Sequence, residues 1–150
     1  MYFRKISLDE LWNTPGFVRL CLDYEKESSL EYLKDVNPKY EKYKEIENNN
    51  ELIIVGAYSD DAILIGFTVT TIGYYLHYDV LAADTESLYV DDNYRKGNTG
   101  LKLIRTAEEY AKQAGAEFFY ITAPAGGRLE KAARLFGYKK ANVQFIRVLK

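Results

Sequence analysis

The residues best suited to chemistry lie in the stretch LYVDDNYRKGNTGLKLI, residues 88–104. This stretch is typical of a strand end, a polar loop and the first turns of a helix. Arg95 and Lys96 supply positive charge, and Gly97 and Gly100 would let the backbone approach a ligand closely. A helix N-terminus adds unpaired N–H groups and a partial positive charge. The combination suits a pyrophosphate group.

The loop does not match the two best-known phosphate motifs. It is neither G-x-x-x-x-G-K-[ST] nor G-x-G-x-x-G, so a P-loop and a dinucleotide-binding fold have no support. Residues 1–90 carry 8 Lys and Arg against 16 Asp and Glu, whereas residues 91–150 carry 12 against 6. The basic surplus therefore coincides with the loop and the C-terminal residues after it. By itself such a split is typical of an unevenly charged solvated surface, and attraction for a polyanionic ligand is the alternative.

The single histidine and the single cysteine favour no metal site. His77 has no second His or Cys near it in the sequence. Cys21 lies in an apolar run and is interpreted as a buried structural thiol, which allows no internal disulfide and favours the cytosol. The tyrosines at 40, 43, 74, 75 and 78 either line an aromatic pocket or pack in the core.

Membrane and nucleic-acid partners are disfavoured. The first residues, MYFRKISLDELW, lack the apolar core of a signal peptide. The uncharged run at 62–78 is rich in Thr and shorter than the roughly 20 residues of a spanning helix, so it predicts a strand. The pI of 5.5, the acidic N-terminal half and the lack of a known motif argue against nucleic-acid binding. We expect a cytoplasmic protein.

The order of elements predicts one α/β domain over residues 1–150 with a mixed sheet, β-α-α-β-β-β-α-β-α-β. Strands are predicted at 2–6, 51–58, 62–73, 84–90, 117–122 and 143–149. Ser7 and Glu10 form a capping box that begins a helical region, which TPG at 14–16 interrupts. A second helix is predicted from Ser28 or Ser29 through Leu30, Leu33 and Val36, restarting after Pro38. Later helices run from the loop to about Ala114 and across GGRLEKAARLFGY.

In this setting the pattern V-x-x-x-Y-R-x-x-N-x-G-x-K-L resembles the GNAT superfamily of acyl-CoA-dependent N-acyltransferases. The usual family loop is R/Q-x-x-G-x-G/A before a helix. Arg95 fills its first position and Gly100 its last, while Asn98 replaces the middle glycine and Gly97 comes one place early. The residues LFGY at 135–138 also resemble the usual family pattern L-G-F/Y. The segments NPKYEKY and LHY are similar to phage-encoded members, whose location would be the host cytoplasm.

The resemblance implies acetyl-CoA as cosubstrate. Backbone N–H groups of the loop would hold its pyrophosphate, and the strand ending at Val90 would pair with the pantetheine arm. A strand N–H would then stabilise the developing oxyanion. The residues implied in cofactor binding are Leu88, Tyr89, Val90, Arg95, Lys96, Gly97, Asn98, Thr99, Gly100 and Leu101.

The resemblance also implies an acidic base on the strand before the loop. An alkylammonium, with a pKa near 10.4, must lose its proton before it can attack a thioester. Strand alternation predicts that Asp84, Glu86, Leu88 and Val90 share one face. Both acids are candidates, with Glu86 favoured; a solvated edge carboxylate is the alternative. His77 is a candidate base or substrate contact, with a hydrogen-bonded loop residue as the alternative.

A tyrosine acid for the departing thiolate is common in the family. Its position here is Ala133, and Gly126 stands where an asparagine often holds pantetheine. Tyr138 and Tyr120 are alternative acids. A CoA thiolate also leaves readily enough for some catalysis without an acid.

The sequence therefore predicts an N-acetyltransferase that moves an acetyl group from acetyl-CoA to a primary amine by direct attack. The amine could belong to a protein or a small molecule. The second hypothesis is a CoA-binding interaction protein of the same fold with weak or no catalysis. The oligomeric state stays open, a homodimer included.

Overall fold

The computed structural model describes residues 1–28, 30, 33 and 35–149. Its strands are β1 (Tyr2–Ile6), β2 (Leu52–Tyr58), β3 (Leu64–Tyr75), β4 (Val80–Val90) and β5 (Phe118–Ile121). Its helices are α1 (Leu8–Asn13), α2 (Phe17–Ser28), α3 (Tyr40–Asn48), α4 (Thr99–Gln113) and α5 (Arg128–Leu135), with a short 3-10 turn at Asp92–Tyr94.

The five described strands form one sheet in chain order. Strands β1 to β4 are an antiparallel meander, and β5 pairs with β4 in parallel. A parallel pair needs a crossover connection, which α4 supplies. This confirms the predicted mixed α/β class.

Several local predictions are confirmed. Ser7 caps α1, because its Oγ accepts the N–H of Glu10 at 3.1 Å. Gly16 takes a left-handed φ of 91° between α1 and α2, so the TPG break is real. The strands predicted at 51–58 and 62–73 correspond to β2 and β3, which residues 59–63 join as an antiparallel hairpin.

Two predicted elements are wrong within the described residues. The helix predicted from Ser28 or Ser29 is absent at Leu30, Leu33 and residues 35–39. Ser28 belongs to α2 instead. The remaining positions of the prediction lie outside the described residues: Ser29, Glu31, Tyr32 and Lys34. Residues 143–149 form no strand, and Phe145 and Leu149 are more than nine-tenths exposed. An alternating apolar pattern becomes a strand only when a neighbouring strand supplies its hydrogen bonds. No such pairing reaches this segment among the described residues.

The sheet carries a different apolar cluster on each face. On the face covered by α1, α2 and α3, the cluster is rich in aromatic side chains, including Phe17, Phe67 and Tyr89. On the face covered by α4, it is built from smaller side chains: Ile53, Val55, Ala57, Ile65, Ile72, Ala83, Val90, Leu103, Ala107 and Ala111. Strand β4 contributes to both clusters, which places its end between the two layers.

Candidate functional site

The sheet opens at the C-terminal end of β4. Parallel pairing of β4 with β5 ends at Thr85 and Ile121, whereas β4 continues to Val90. The C=O of Ser87 accepts the Thr68 hydroxyl of β3 at 3.0 Å, and the C=O of Val90 points away from β3 to the Arg95 side chain at 2.6 Å. Backbone direction alternates along a strand, so the polar groups of Leu88 also face away from β3. An extended ligand could pair there as a further strand would.

A β-bulge changes the predicted orientation of the acidic residues. Ser87 pairs with Val69 and Thr85 pairs with the next residue, Thr70, so Glu86 is the extra residue on β4. A bulge resets the alternation of side chains. The expectation that Asp84, Glu86, Leu88 and Val90 share one face is therefore wrong.

The bulge places side chains on either side of the opening. Val90 belongs to the cluster beneath α4, and Leu88 packs against that cluster. Glu86 and Ser87 instead line a cavity between the sheet and helices α1 to α3. The extra residue thus puts a carboxylate on the layer opposite α4.

Tyr43 of α3 holds the Glu86 carboxylate. Its hydroxyl donates a hydrogen bond to Glu86 Oε1 at 2.7 Å. Burial and the neighbouring Glu86 both raise the pKa of Tyr43, so the phenol remains a donor at neutral pH. From the sequence, Tyr43 was only one of several tyrosines that either line a pocket or pack in the structure.

Asp84 lies in the paired part of the sheet. It pairs with Tyr120 of β5, and its Oδ1 accepts the Thr122 hydroxyl at 3.0 Å. Burial raises the pKa of Asp84, and the hydrogen bond from Thr122 partly offsets this. Of the two predicted acids, Glu86 is the one beside the unpaired part of β4.

The loop before α4 offers backbone donors and space. Gly97 adopts φ 85°, whereas Asn98 precedes the helix at φ −107°, so the early glycine takes the left-handed conformation. The first hydrogen bond of α4 joins Lys102 N to Asn98 O at 2.9 Å. The N–H groups of the preceding turn lack intrahelical acceptors. A Cβ atom built on Gly97 or Gly100 would meet no heavy atom within 4 Å.

The residues of the loop differ in exposure. Lys96, Gly97 and Asn98 are exposed, Gly100 and Leu101 are half-buried, and Thr99 is buried. Lys96 therefore presents its charge to solvent beside the open backbone. This arrangement can accept an anionic group at the start of α4.

The Arg95 side chain braces the loop. Its Nε donates to the Val90 carbonyl at 2.6 Å, and its Nη2 lies 2.7 Å from Glu27 of α2. The guanidinium also stacks over the Tyr89 ring, 4.9 Å from the centroid. With its charge paired and its side chain 15% exposed, Arg95 connects α2 to the end of β4.

Asp91 makes a second connection between α2 and β4. Its carboxylate is 2.8 Å from Arg19 and accepts the N–H of Asn93 at 2.9 Å. Burial favours the neutral acid, but Asn93 and Arg19 together lower the pKa of Asp91 below its usual value. The turn after β4 is therefore held by charge on its α2 side.

Two of the other predicted residues, His77 and Tyr138, lie away from Glu86. His77 is exposed in the turn between β3 and β4, ahead of Val80. Along β4, Glu86 lies six residues beyond Val80, which corresponds to roughly 20 Å at the rise of a strand. The Tyr138 hydroxyl donates to Glu108 of α4, and Tyr120 stacks with Tyr75 near that turn. The structure does not bring His77 or Tyr138 together with Glu86, whereas Tyr120 pairs with Asp84, one position before the β4–β5 pairing ends.

The described residues contain neither a membrane-spanning helix nor a metal cluster. No helix there combines the length and the apolar character that crossing a membrane requires. Within the same residues, no group of three or more His, Cys, Asp or Glu side chains is arranged to hold a metal ion.

Several solved structures share the fold. An aminoglycoside acetyltransferase from an uncultured soil metagenomic sample, solved with sisomicin, has a TM-score of 0.74 and 19% identity over 99% of this chain and 96% of its own. Ribosomal-protein-alanine N-acetyltransferase from Brucella melitensis biovar Abortus 2308 gives a TM-score of 0.69 and 16% identity, over 99% and 100%. Glucosamine-6-phosphate N-acetyltransferase from Arabidopsis thaliana gives 0.71 and 14%, over 99% and 98%.

Two sequence comparisons gave different results, no match in one and a family match in the other. A search of curated protein sequences gave no significant match. The sequence model of the acetyltransferase (GNAT) family matches residues 16–138, which span most of the chain and include the opening of β4 and the loop before α4. The chain therefore belongs to the acetyltransferase (GNAT) family, whose enzymes are acyl-CoA-dependent acetyltransferases.

Proposed function

We propose that this protein transfers an acetyl group from acetyl-CoA to a primary amine by direct attack in a ternary complex. The observation that carries the proposal is the unpaired end of β4, which has the open N-terminus of α4 on one side and the Glu86 carboxylate on the other. A cosubstrate and an acceptor can thus reach the same strand from opposite layers.

The loop and strand fit the chemical groups of acetyl-CoA. The backbone donors between residues 95 and 101, with Lys96, suit the pyrophosphate. The outward-facing backbone groups of Leu88 and the outward N–H of Val90 suit the amide groups of the pantetheine arm, whereas the Val90 carbonyl is already bonded to Arg95. An N–H on this edge would stabilise negative charge that develops on the thioester oxygen.

Glu86 is the proposed base. The amine nitrogen forms a bond to the carbonyl carbon, the carbon–sulfur bond breaks, and Glu86 accepts the proton that the amine loses, directly or through water. Tyr43 keeps the carboxylate oriented by its hydrogen bond. The departing thiolate takes a proton from solvent, since the Tyr138 hydroxyl is bonded to Glu108.

The test has two parts. Calorimetric titration with acetyl-CoA should show one binding site per chain, and addition of primary amines should release CoA thiol with formation of the acetamide. Absence of acetyl-CoA binding would overturn the assignment of the loop. Binding without thiol release across peptide and small-molecule amines would support the alternative, a CoA-binding interaction protein.

A further inference from the structure

The cavity beside Glu86 is small and mostly apolar. Its volume is about 60 Å³. Its walls are mostly apolar and aromatic, from Trp12, Phe17, Tyr24 and Phe67 among others. Of the described residues that line it, Glu86 is the only one with a charged side chain. An apolar space with one carboxylate at its edge suits a ligand with one cationic end and one apolar end.

Burial differs between two of the residues that line the cavity, Cys21 and Glu86. Cys21 lines the cavity from α2, and burial raises the pKa of its thiol to about 11. The carboxylate of Glu86 lies at an exposed position, where its second oxygen remains reachable beyond the Tyr43 hydrogen bond. An ammonium can therefore reach Glu86 from solvent while its substituent enters the apolar space.

The cavity volume limits the size of that substituent. An apolar cavity of roughly 150 Å³ holds one benzene ring. The cavity here is about 60 Å³, and by that standard it holds roughly two to three carbon atoms. A branched end such as an isopropyl group fits, with a short methylene link to reach the carboxylate.

A polar depression on α2 is the other candidate for an acceptor. It has a volume of about 380 Å³ and is lined by residues that include Arg19, Asp23, Lys26 and Asp91. Its carboxylates are already paired, since Asp23 lies 3.0 Å from Lys26 and Asp91 lies 2.8 Å from Arg19. A polycationic acceptor would have to displace these ion pairs, so the observations favour the apolar cavity.

We propose that the acceptor is a primary monoamine with a short branched alkyl arm, whose ammonium pairs with Glu86 and whose arm fills the cavity lined by Trp12, Phe17 and Cys21. This inference rests on the proposed function and names its substrate class. The transfer forms one C–N bond and breaks the thioester C–S bond; the amine proton goes to Glu86, and CoA leaves as the thiolate.

Kinetics with an amine series tests the substrate class. We expect kcat/KM to be at least tenfold higher for 3-methylbutylamine than for methylamine, because the arm of 3-methylbutylamine removes apolar surface from water on binding. Spermidine should be a poorer substrate than 3-methylbutylamine. Equal rates along the alkyl series, or a preference for spermidine, would overturn the inference.

Trp12, the only tryptophan of the chain, provides a binding signal that needs no acetyl-CoA. Titration with 3-methylbutylamine should give a saturable fluorescence change. The uncharged 3-methylbutan-1-ol should bind at least tenfold more weakly, and methylamine should give no saturable change. If the alcohol bound as tightly as the amine, Glu86 would make no contribution to binding at this cavity, which would overturn the inference.

A pair of variants on α2 separates cavity filling from a general effect. Cys21→Phe would fill the cavity and should reduce the preference for 3-methylbutylamine over methylamine at least fivefold. Val18→Phe adds the same ring at a side chain that is 70% exposed, and should leave the preference unchanged. If Cys21→Phe does not fold, the amine series on the unmodified protein still decides.

The outcomes distinguish the inference from the function on which it rests. Saturable binding with the expected dependence on the alkyl arm, but no CoA release, would overturn the proposed catalysis and support the binding site. CoA release without dependence on the alkyl arm would support the catalysis and overturn the proposed substrate class.

Discussion

The two faces of the sheet use different kinds of chemical group to make a site. Beneath α4, small aliphatic side chains pack closely, and the groups available to a ligand are backbone N–H groups at the helix start. Beneath α1, α2 and α3, aromatic side chains leave a cavity whose one charged wall residue is Glu86, among the described residues. Backbone donors exist in any sequence, whereas a carboxylate in an aromatic cavity depends on particular side chains. Under the proposed function, the backbone donors would serve the cosubstrate in a general way, and the aromatic cavity would set the specificity for the acceptor.

The largest effect is expected from Gly100→Glu on the α4 side. The new side chain would enter open space and place a carboxylate where the pyrophosphate is proposed to bind. Like-charge repulsion and crowding should weaken acetyl-CoA binding more than a hundredfold, without loss of stability, since a carboxylate suits a helix N-terminus. Calorimetry and thermal unfolding measure the two quantities.

Gly73→Glu is the matched control for this change. A Cβ atom on Gly73 likewise meets nothing within 4 Å, but Gly73 lies near the far end of β3. It should leave acetyl-CoA affinity unchanged. Equal affinities for the two variants would contradict the assignment of the loop.

The second largest effect is expected from Glu86→Gln, on the face of the sheet covered by α1, α2 and α3. Glu86→Gln keeps the shape of the side chain and removes the base, so kcat should fall by about a hundredfold or more with acetyl-CoA affinity retained. Asp84→Asn should lower kcat less than about threefold, since Asp84 is bonded to Thr122 in the paired part of the sheet. A larger loss for Asp84→Asn would assign the base to Asp84 instead.

Asp91→Asn tests the ion pair with Arg19 that connects α2 to the end of β4. The variant removes the charge that pairs with Arg19 and should reduce the free energy of unfolding by about 2 kcal/mol at pH 7. Because the pKa of Asp91 is lowered by folding, its contribution is present above the unfolded pKa near 3.9 and is lost as pH falls. The difference between variant and unmodified protein should therefore shrink below about pH 4.

Denaturant unfolding between pH 3 and 8 measures this difference. Asp92→Asn serves as the control, because Asp92 is 69% exposed and exposed ion pairs contribute less than about 1 kcal/mol. A pH-independent loss for Asp91→Asn would mean that the charge of Asp91 is not the cause.

The smallest effect is expected from Tyr43→Phe. Loss of the hydrogen bond to Glu86 should lower kcat about fivefold, equivalent to roughly 1 kcal/mol, and leave the KM for acetyl-CoA unchanged. The raised pKa of Tyr43 keeps the phenol protonated, so the ratio of the two rates should stay constant from pH 6 to 9.

Tyr40→Phe controls for the loss of a tyrosine hydroxyl on the same helix, because the Tyr40 hydroxyl bonds Asp9 instead. Equal kinetics for Tyr43→Phe and the unmodified protein would show that Glu86 needs no support from α3.

Local patterns predicted the elements around the site well. Ser7 with Glu10, the hairpin after Tyr58, and the glycine loop before α4 each depend on residues close together in sequence. The predicted strand at 143–149 was wrong because strand formation depends on a partner that local sequence does not specify.

Orientation within β4 was the main failure. Strict alternation assigned Glu86 to the face of Val90, but the bulge opposite Val69 and Thr70 sends it to the other layer. The position of a bulge depends on how two strands pair, so it cannot be predicted from the sequence of one strand alone. Arg95 is a similar case, since its partner Glu27 lies on a distant helix.

The sequence by itself determined the mixed α/β class, the resemblance to the GNAT family and the position of the loop that begins α4, because each is encoded by residue types at short spacing. The tertiary structure decided that Glu86 faces an aromatic cavity, that Tyr43 orients it across 43 residues of sequence, and that Arg95 braces the loop. These features depend on strand register and helix packing, which bring together groups whose separation along the chain carries no local signal.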